Sequence, residues 1–177
     1  KKDAVKEIIT DLPVKKEASI TDQLAKENIS TAQTAQQAAF VDVPGLSAGD
    51  HRKGEASAPV KIIVYSDFEC EFCAALNAAL DRVRQDYGDQ VAVAFRHYPL
   101  SSHAQAYPAA LAAECAAGQG KFWEMHDRLN AANASGTLGV TGFDVFAGEL
   151  GLDQSEFNDC LAFEEPLARI QAQSREA

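Results

Sequence analysis

Two cysteines separated by two residues, in Cys70-Glu71-Phe72-Cys73, carry the strongest chemical signal in the chain. A thiolate attacks a disulfide, holds a mixed disulfide and is then displaced by a second thiolate. A pair of thiols one helical turn apart suits that two-step exchange. The same spacing forms half of many structural zinc sites, which normally need four ligands. No second C-x-x-C is present. Redox exchange is therefore the expected chemistry, with no metal and no cofactor required.

The residues around the pair say how it is held. Val60-Lys61-Ile62-Ile63-Val64-Tyr65 is β-branched and almost continuously apolar, the pattern of a strand covered on both faces. Ser66-Asp67-Phe68-Glu69 turns the chain. Phe72, Leu76, Leu80, Val83 and Tyr87 then recur at helical spacing, and Gly88 closes the helix. Val91-Ala92-Val93-Ala94-Phe95 reads as a second strand. Strand, helix and strand make a βαβ unit with parallel strands and a right-handed crossover, and reaction sites gather at the carboxyl ends of such strands. Cys70 falls at the start of the helix, where unbonded N–H groups and the positive dipole end favour a thiolate. Thiol pKa values in such settings fall to about 3.5–7.5 from a free value near 8.5. Cys70 is thus expected to attack and Cys73, deeper, to resolve.

The rest of the chain after Pro99 is read as helical. Helices are expected over Ala104–Ala117, Lys121–Leu129, Phe143–Leu150, from an Asp153 N-cap to about Leu161, and over Leu167–Arg175 after Pro166. Residues 1–50 differ in composition: Lys, Glu, Thr, Gln and Ala dominate and no aromatic precedes Phe40. That stretch is expected to be a solvated linker or loosely helical arm, and residues 51–177 the folded domain. A first residue of Lys1 is expected to mean either a fragment or a removed leader or membrane anchor, the one expected link to a membrane. At 177 residues and 46% hydrophobic, the chain can bury one core. A net charge of −10 argues against nucleic acid as partner, since phosphate contacts need a basic face.

Several blocks together resemble the DsbA-like thiol-disulfide oxidoreductases of bacteria. They are DHRKGEASAPVKIIVYSDFECEFC at 50–73, FRHYPLSSHAQAYPAALAAECA at 95–116 and GKFWEMHDRL at 120–129. The resemblance implies an α/β fold, a thioredoxin-like βαβ core with an inserted helical subdomain over about 103–165. It implies exchange of disulfides outside the cytoplasm, in the periplasm or at the cell surface, with cysteine-containing proteins and a further redox partner. Cys70 becomes the nucleophile and Cys73 the resolving thiol. It also implies a structural disulfide between Cys115 and Cys160, against the alternative of two buried free thiols.

Two features depart from the family pattern. Glu71 stands where Pro is common, and an acidic neighbour disfavours the thiolate and makes the site less oxidising. The family also carries a cis-proline segment, two antiparallel strands and a helix beyond the insertion. None of Pro13, Pro44, Pro59, Pro99, Pro108 and Pro166 has that context, so the sequence is expected to lack that part. Beside the cysteines, Phe68 and Phe72 offer either a docking surface or packing beneath the site. His97 and Pro99 follow the second strand, and His97 reads as a structural histidine more readily than as a modulator of the thiolate. The leading function is an oxidant of protein thiols. Reductase or isomerase action, or a non-catalytic thioredoxin-like binding or chaperone module, are the rivals.

Overall fold

A computed structural model describes residues 45–163 and 165–177. Most of the arm expected over residues 1–50 lies outside the described residues. Three strands, β1 (His51–Lys53), β2 (Val60–Ser66) and β3 (Val91–His97), form a sheet in the order β1-β3-β2. β1 runs antiparallel to β3, pairing His51 with Phe95, and β2 runs parallel to β3, pairing Val60 with Val91 and Ser66 with His97. Helix α1 (Glu71–Tyr87) crosses from β2 to β3. Five helices follow: α2 (Ala106–Gly118), α3 (Phe122–Ala134), α4 (Phe143–Glu149), α5 (Gln154–Ala162) and α6 (Glu165–Glu176). The fold is thioredoxin-like with a helical insertion.

The strand covered on both faces is β3, not β2 as the sequence suggested. All seven residues of β3 are buried, whereas Val60 and Lys61 of β2 are exposed. β3 lies between two partners, and β2 is an edge among the described strands. The apolar stripe of α1 also divides. Leu80 and Val83 pack on Val64, Val91 and Val93, while Phe72, Leu76 and Tyr87 stay exposed. Only the middle of this helix lies over the apolar patch of the sheet. Its end follows expectation: Gly88 takes φ +53° and its N–H reaches the Arg84 carbonyl. Gly54, after β1, has φ +98°, and a Cβ there would meet the Val91 carbonyl oxygen at 2.7 Å. Only glycine lets the chain pass β3 so closely.

The helices enclose a core with Phe68, Phe95, Phe122, Met125, Leu129, Phe143 and Phe157. Asp153 caps α5 as expected, its carboxylate accepting the Glu156 N–H at 2.9 Å. At the end of β3, buried Arg96 donates to both Asp50 oxygens at 2.9 and 3.0 Å, to Gly45 O and to Tyr65 Oη. Burial alone would push the Asp50 carboxyl up, but the Arg96 fork and the Ser47 N–H, at 2.7 Å, together outweigh it and hold the group below its ordinary range. Residues 45–50 are thereby tied to the sheet.

Cys115 of α2 is joined to Cys160 of α5 across 45 residues of sequence. Such a link stabilises chiefly by restricting the unfolded chain. Replacing both cysteines by alanine should cost about 2–4 kcal/mol, read as a lower denaturant midpoint at an unchanged Cys70–Cys73 redox state. An unshifted midpoint would show that the link carries no stability.

Candidate active site

β2 ends at Ser66, and the four residues Asp67 to Cys70 bring the chain to the start of α1. Cys70 is the N-cap residue, with φ −79° and ψ 119°, and no side-chain cap satisfies the first-turn N–H groups. The unbonded donors and positive end of a 17-residue helix are therefore directed at this residue. Both thiols are free, and both residues are half-buried. Cys73 has the Cys70 thiol, the Asp67 backbone N–H and the Ser66 hydroxyl as its polar neighbours. Burial pushes the Cys73 thiol above its ordinary value, and the neighbouring Cys70 adds to that; the Asp67 N–H and Ser66 hydroxyl oppose it. A half-buried thiol one turn into the helix, its proton favoured by burial, suits a resolving role.

The loop before Cys70 is fixed by carboxylates. Asp67 is 4% exposed. Its Oδ1 accepts the Glu69 N–H at 2.8 Å, and its Oδ2 accepts the Leu100 N–H and His103 Nδ1, each at 2.8 Å. Its carbonyl accepts the Cys70 N–H at 3.2 Å. Glu69 in turn accepts the Gln105 N–H. The thiol loop is thus fastened to the segment between β3 and α2. Sequence reasoning treated Asp67 as part of a turn and gave His103 no role. Asp67 carried a local signal, because an Asp that bonds the N–H two residues on is a turn signature. The His103 pairing spans 36 residues and has none.

The other residues singled out from sequence separate clearly. Phe68 is 2% exposed and stacks near Phe95 at 5.3 Å, so it is core. Phe72 is 76% exposed beside the cysteines, and Glu71 is exposed in the first turn of α1. Pro99 is buried in the loop whose Leu100 N–H and His103 ring donate to Asp67. His97 is fully buried, its ring within 5.1 Å of Phe95 and 6.0 Å of Phe122. Its Nε2 bonds Glu114 Oε1 at 2.9 Å rather than either cysteine.

Glu114, which sequence reasoning passed over, is a second polar centre. Its Oε1 also meets His51 Nε2 at 2.8 Å, and its Oε2 lies 3.4 Å from Arg169 of α6. Burial acts to raise the Glu114 carboxyl, but bonds from His51 and His97 pull it down to about 2. An ionised carboxylate only accepts, so both imidazoles must donate Nε2–H. His51, His97 and Glu114 have the types and spacing of metal ligands. A metal at His97 Nε2 would move the ring proton to Nδ1, which has no partner, burying a donor at about 1–3 kcal/mol. The arrangement fits shared protons better than a cation. The signal available in sequence was one acid inside the otherwise apolar run Ala112-Ala113-Glu114-Cys115-Ala116.

These groups set an acid limit to stability. Burial holds His97 below its ordinary 6.5, so it stays neutral when folded and takes a proton more readily when unfolded. Both folded values are depressed, so their stabilisation is present at high pH and lost as pH falls. The loss should begin below about 6.5 for His97 and continue from about 4.5 towards about 2 for Glu114. Denaturant titrations across this range should show the fall, and Glu114→Gln should remove its lower part. A flat profile would contradict the assignment.

Comparison with known proteins agrees with this geometry. A family model described as thioredoxin matches residues 46–177. Pseudomonas aeruginosa DsbA2 superposes with a TM-score of 0.61 at 28% identity, over 75% of this chain and 74% of that one. Wolbachia pipientis alpha-DsbA1 gives 0.64 at 20% identity, over 73% and 68%. Oxidised BdbD from Bacillus subtilis gives 0.64 at 18%, over 72% and 74%. Among curated relatives, a Na(+)/H(+) antiporter NhaA 1 of Mycolicibacterium gilvum is 46% identical over 81 residues. NhaA 3 of Salinispora tropica is 40% identical over 122 residues. The match spans 45% and 68% of this chain but only 13% and 18% of those proteins. The likeness thus concerns a small part of each antiporter. With most of its length matched by one family model and its fold shared with DsbA-type structures, the chain belongs to the thioredoxin family as a DsbA-like member.

Proposed function

We propose that this protein is a thiol-disulfide oxidoreductase that oxidises cysteine-containing proteins outside the cytoplasm. One observation carries the reading: two free thiols within reach of one another, one at the N-cap of a long helix and the other on N–H and O–H donors. In the oxidised form, a substrate thiolate attacks Cys70 Sγ and expels Cys73 as a thiolate. A second substrate thiolate then attacks the substrate-side sulfur of the mixed disulfide and expels Cys70. The substrate loses two electrons and two protons, and the protein disulfide gains them. The Asp67 N–H and Ser66 hydroxyl stabilise the leaving Cys73 thiolate. Family membership supports the chemistry. The extracytoplasmic location rests on the Cys115–Cys160 link, since structural disulfides persist in oxidising compartments. An unidentified redox partner must return the dithiol to the disulfide.

Glu71 favours a second reading as a reductase. Its carboxylate sits in the first turn beside Cys70 and opposes the thiolate form, which lowers oxidising power. Equilibration with glutathione sorts the two readings by the direction in which the Cys70–Cys73 couple lies.

The enzymatic reading makes a sharp demand on the two thiols. Cys70→Ser should reduce oxidative refolding of a reduced substrate protein to the uncatalysed rate. Given a substrate that already carries a disulfide, Cys73→Ser should instead attack it through Cys70, expel one substrate thiolate and accumulate as a mixed disulfide, visible by non-reducing electrophoresis. Refolding unaffected by Cys70→Ser would leave a binding module rather than an enzyme.

A further inference from the structure

We propose that His103 is a positioning residue for the thiol exchange, acting through Asp67 to stabilise the thiolate of the Cys70–Cys73 pair. The inference rests on the redox reading above. Asp67 borders the thiol pair with its backbone: its carbonyl holds the Cys70 N–H at 3.2 Å, and its own N–H favours the Cys73 thiolate. The orientation of that peptide unit therefore decides whether the donor meets the sulfur. The Asp67 side chain sets the orientation, and its three donors are two backbone N–H groups and the His103 ring. The imidazole is the one side-chain donor among them.

Charge makes the same contact matter a second time. Three carboxylates, Asp67, Glu69 and Glu71, stand within three residues of Cys70 and oppose a negative sulfur. Among the described residues, Asp67 alone of these has a basic side chain within 4.0 Å, and that is His103. Asp67 is 2% exposed at its side chain, so water screens its charge little. A donor on Oδ2 offsets part of the negative charge of that carboxylate. His103 is 27% exposed at its side chain, so it can be replaced without opening the core.

The exchange step shows where the effect enters. Reduction breaks the Cys70–Cys73 bond and leaves a thiolate before a proton arrives from solvent. Whatever destabilises that thiolate favours the disulfide. Loss of the His103 donor should therefore make the pair a weaker oxidant, the disulfide form gaining.

The test uses His103→Ala and His103→Gln in the full chain, equilibrated with reduced and oxidised glutathione. The alanine variant should shift the equilibrium towards the protein disulfide by about fivefold, the equivalent of one hydrogen bond of roughly 1 kcal/mol. Its thiolate absorbance should titrate at higher pH. The glutamine variant keeps an amide N–H for Asp67 and should recover most of the shift. An unchanged equilibrium and thiol titration in His103→Ala would overturn the proposal, even where its melting temperature falls. A wild-type protein that fails to exchange with glutathione would instead sink the redox reading itself. If the alanine variant does not fold, the wild type still decides. Coupling between two sites is reciprocal, so the ring-nitrogen NMR shifts of His103 at fixed pH must differ between dithiol and disulfide forms. Superimposable spectra would overturn the proposal.

Discussion

A charge taken out of water must be surrounded by donors, and this fold is arranged around that constraint at the end of β3. Three buried or nearly buried carboxylates, Asp50, Asp67 and Glu114, each collect partners from separate stretches of chain. Glu114 gathers His51 from β1, His97 from β3 and Arg169 from α6 onto α2. Asp50 and Arg96 join the segment before β1 to β3, with Tyr65 of β2 beside them. Removing one partner of such a group would leave an unpaired buried charge, a cost of about 3–5 kcal/mol. The apolar core supplies most of the drive to fold, being non-directional. The carboxylates supply direction: they fix which residue of each element meets which.

The thiol site inherits that rigidity. Asp67 sits directly after β2, so the peptide facing Cys73 is held by the sheet on one side and by the Leu100–His103 segment on the other. A preorganised donor costs no rearrangement when negative charge appears on sulfur. Burial of Cys73 acts in the opposite sense and keeps its thiol above the ordinary value. The pair therefore combines an N-cap sulfur at the open end of a helix with a sulfur that loses its proton only when exchange demands it. Phe72, between them in sequence, leaves an apolar side chain exposed to solvent.

Much of this was legible in the sequence, for identifiable reasons. The βαβ unit could be read because β-branched runs and helical spacing are local properties, and the same local pattern put Cys70 at the helix start, where it lies. The face each residue presents was less legible. Phe68 and Phe72 are the same residue type four positions apart, yet one is core and the other is in solvent. The turn between β2 and α1 separates them, and the composition of that turn does not say which way it bends. β2 looked like the central strand because of its apolar run, but centrality depends on neighbours, and β3 has two. The polar networks were the least legible. His97 was read as structural without its partner, and His103 and Glu114 were passed over. Their pairings span 17 to 63 residues and exist only in the tertiary structure.

The two cysteine pairs show how environment divides one chemistry into two roles. Attack on a disulfide needs a sulfur that a thiolate can reach and a leaving thiolate that its surroundings can stabilise. Cys70 and Cys73 meet both conditions: each is half-buried, and donors from Ser66 and Asp67 await the displaced sulfur. Cys115 is 2% exposed in the Ala-rich helix α2, among apolar neighbours that offer a thiolate nothing. Its partner Cys160 is only half-buried, so attack there would expel Cys115 into that apolar setting. Spacing matters as much. Cys70 and Cys73 are joined through a single helical turn, so opening the bond frees little chain. Cys115 and Cys160 close a separation of 45 residues, so opening theirs releases a long loop and the stability it carried. The proposed exchange at the first pair would therefore leave the second in place as a staple of the helical insertion.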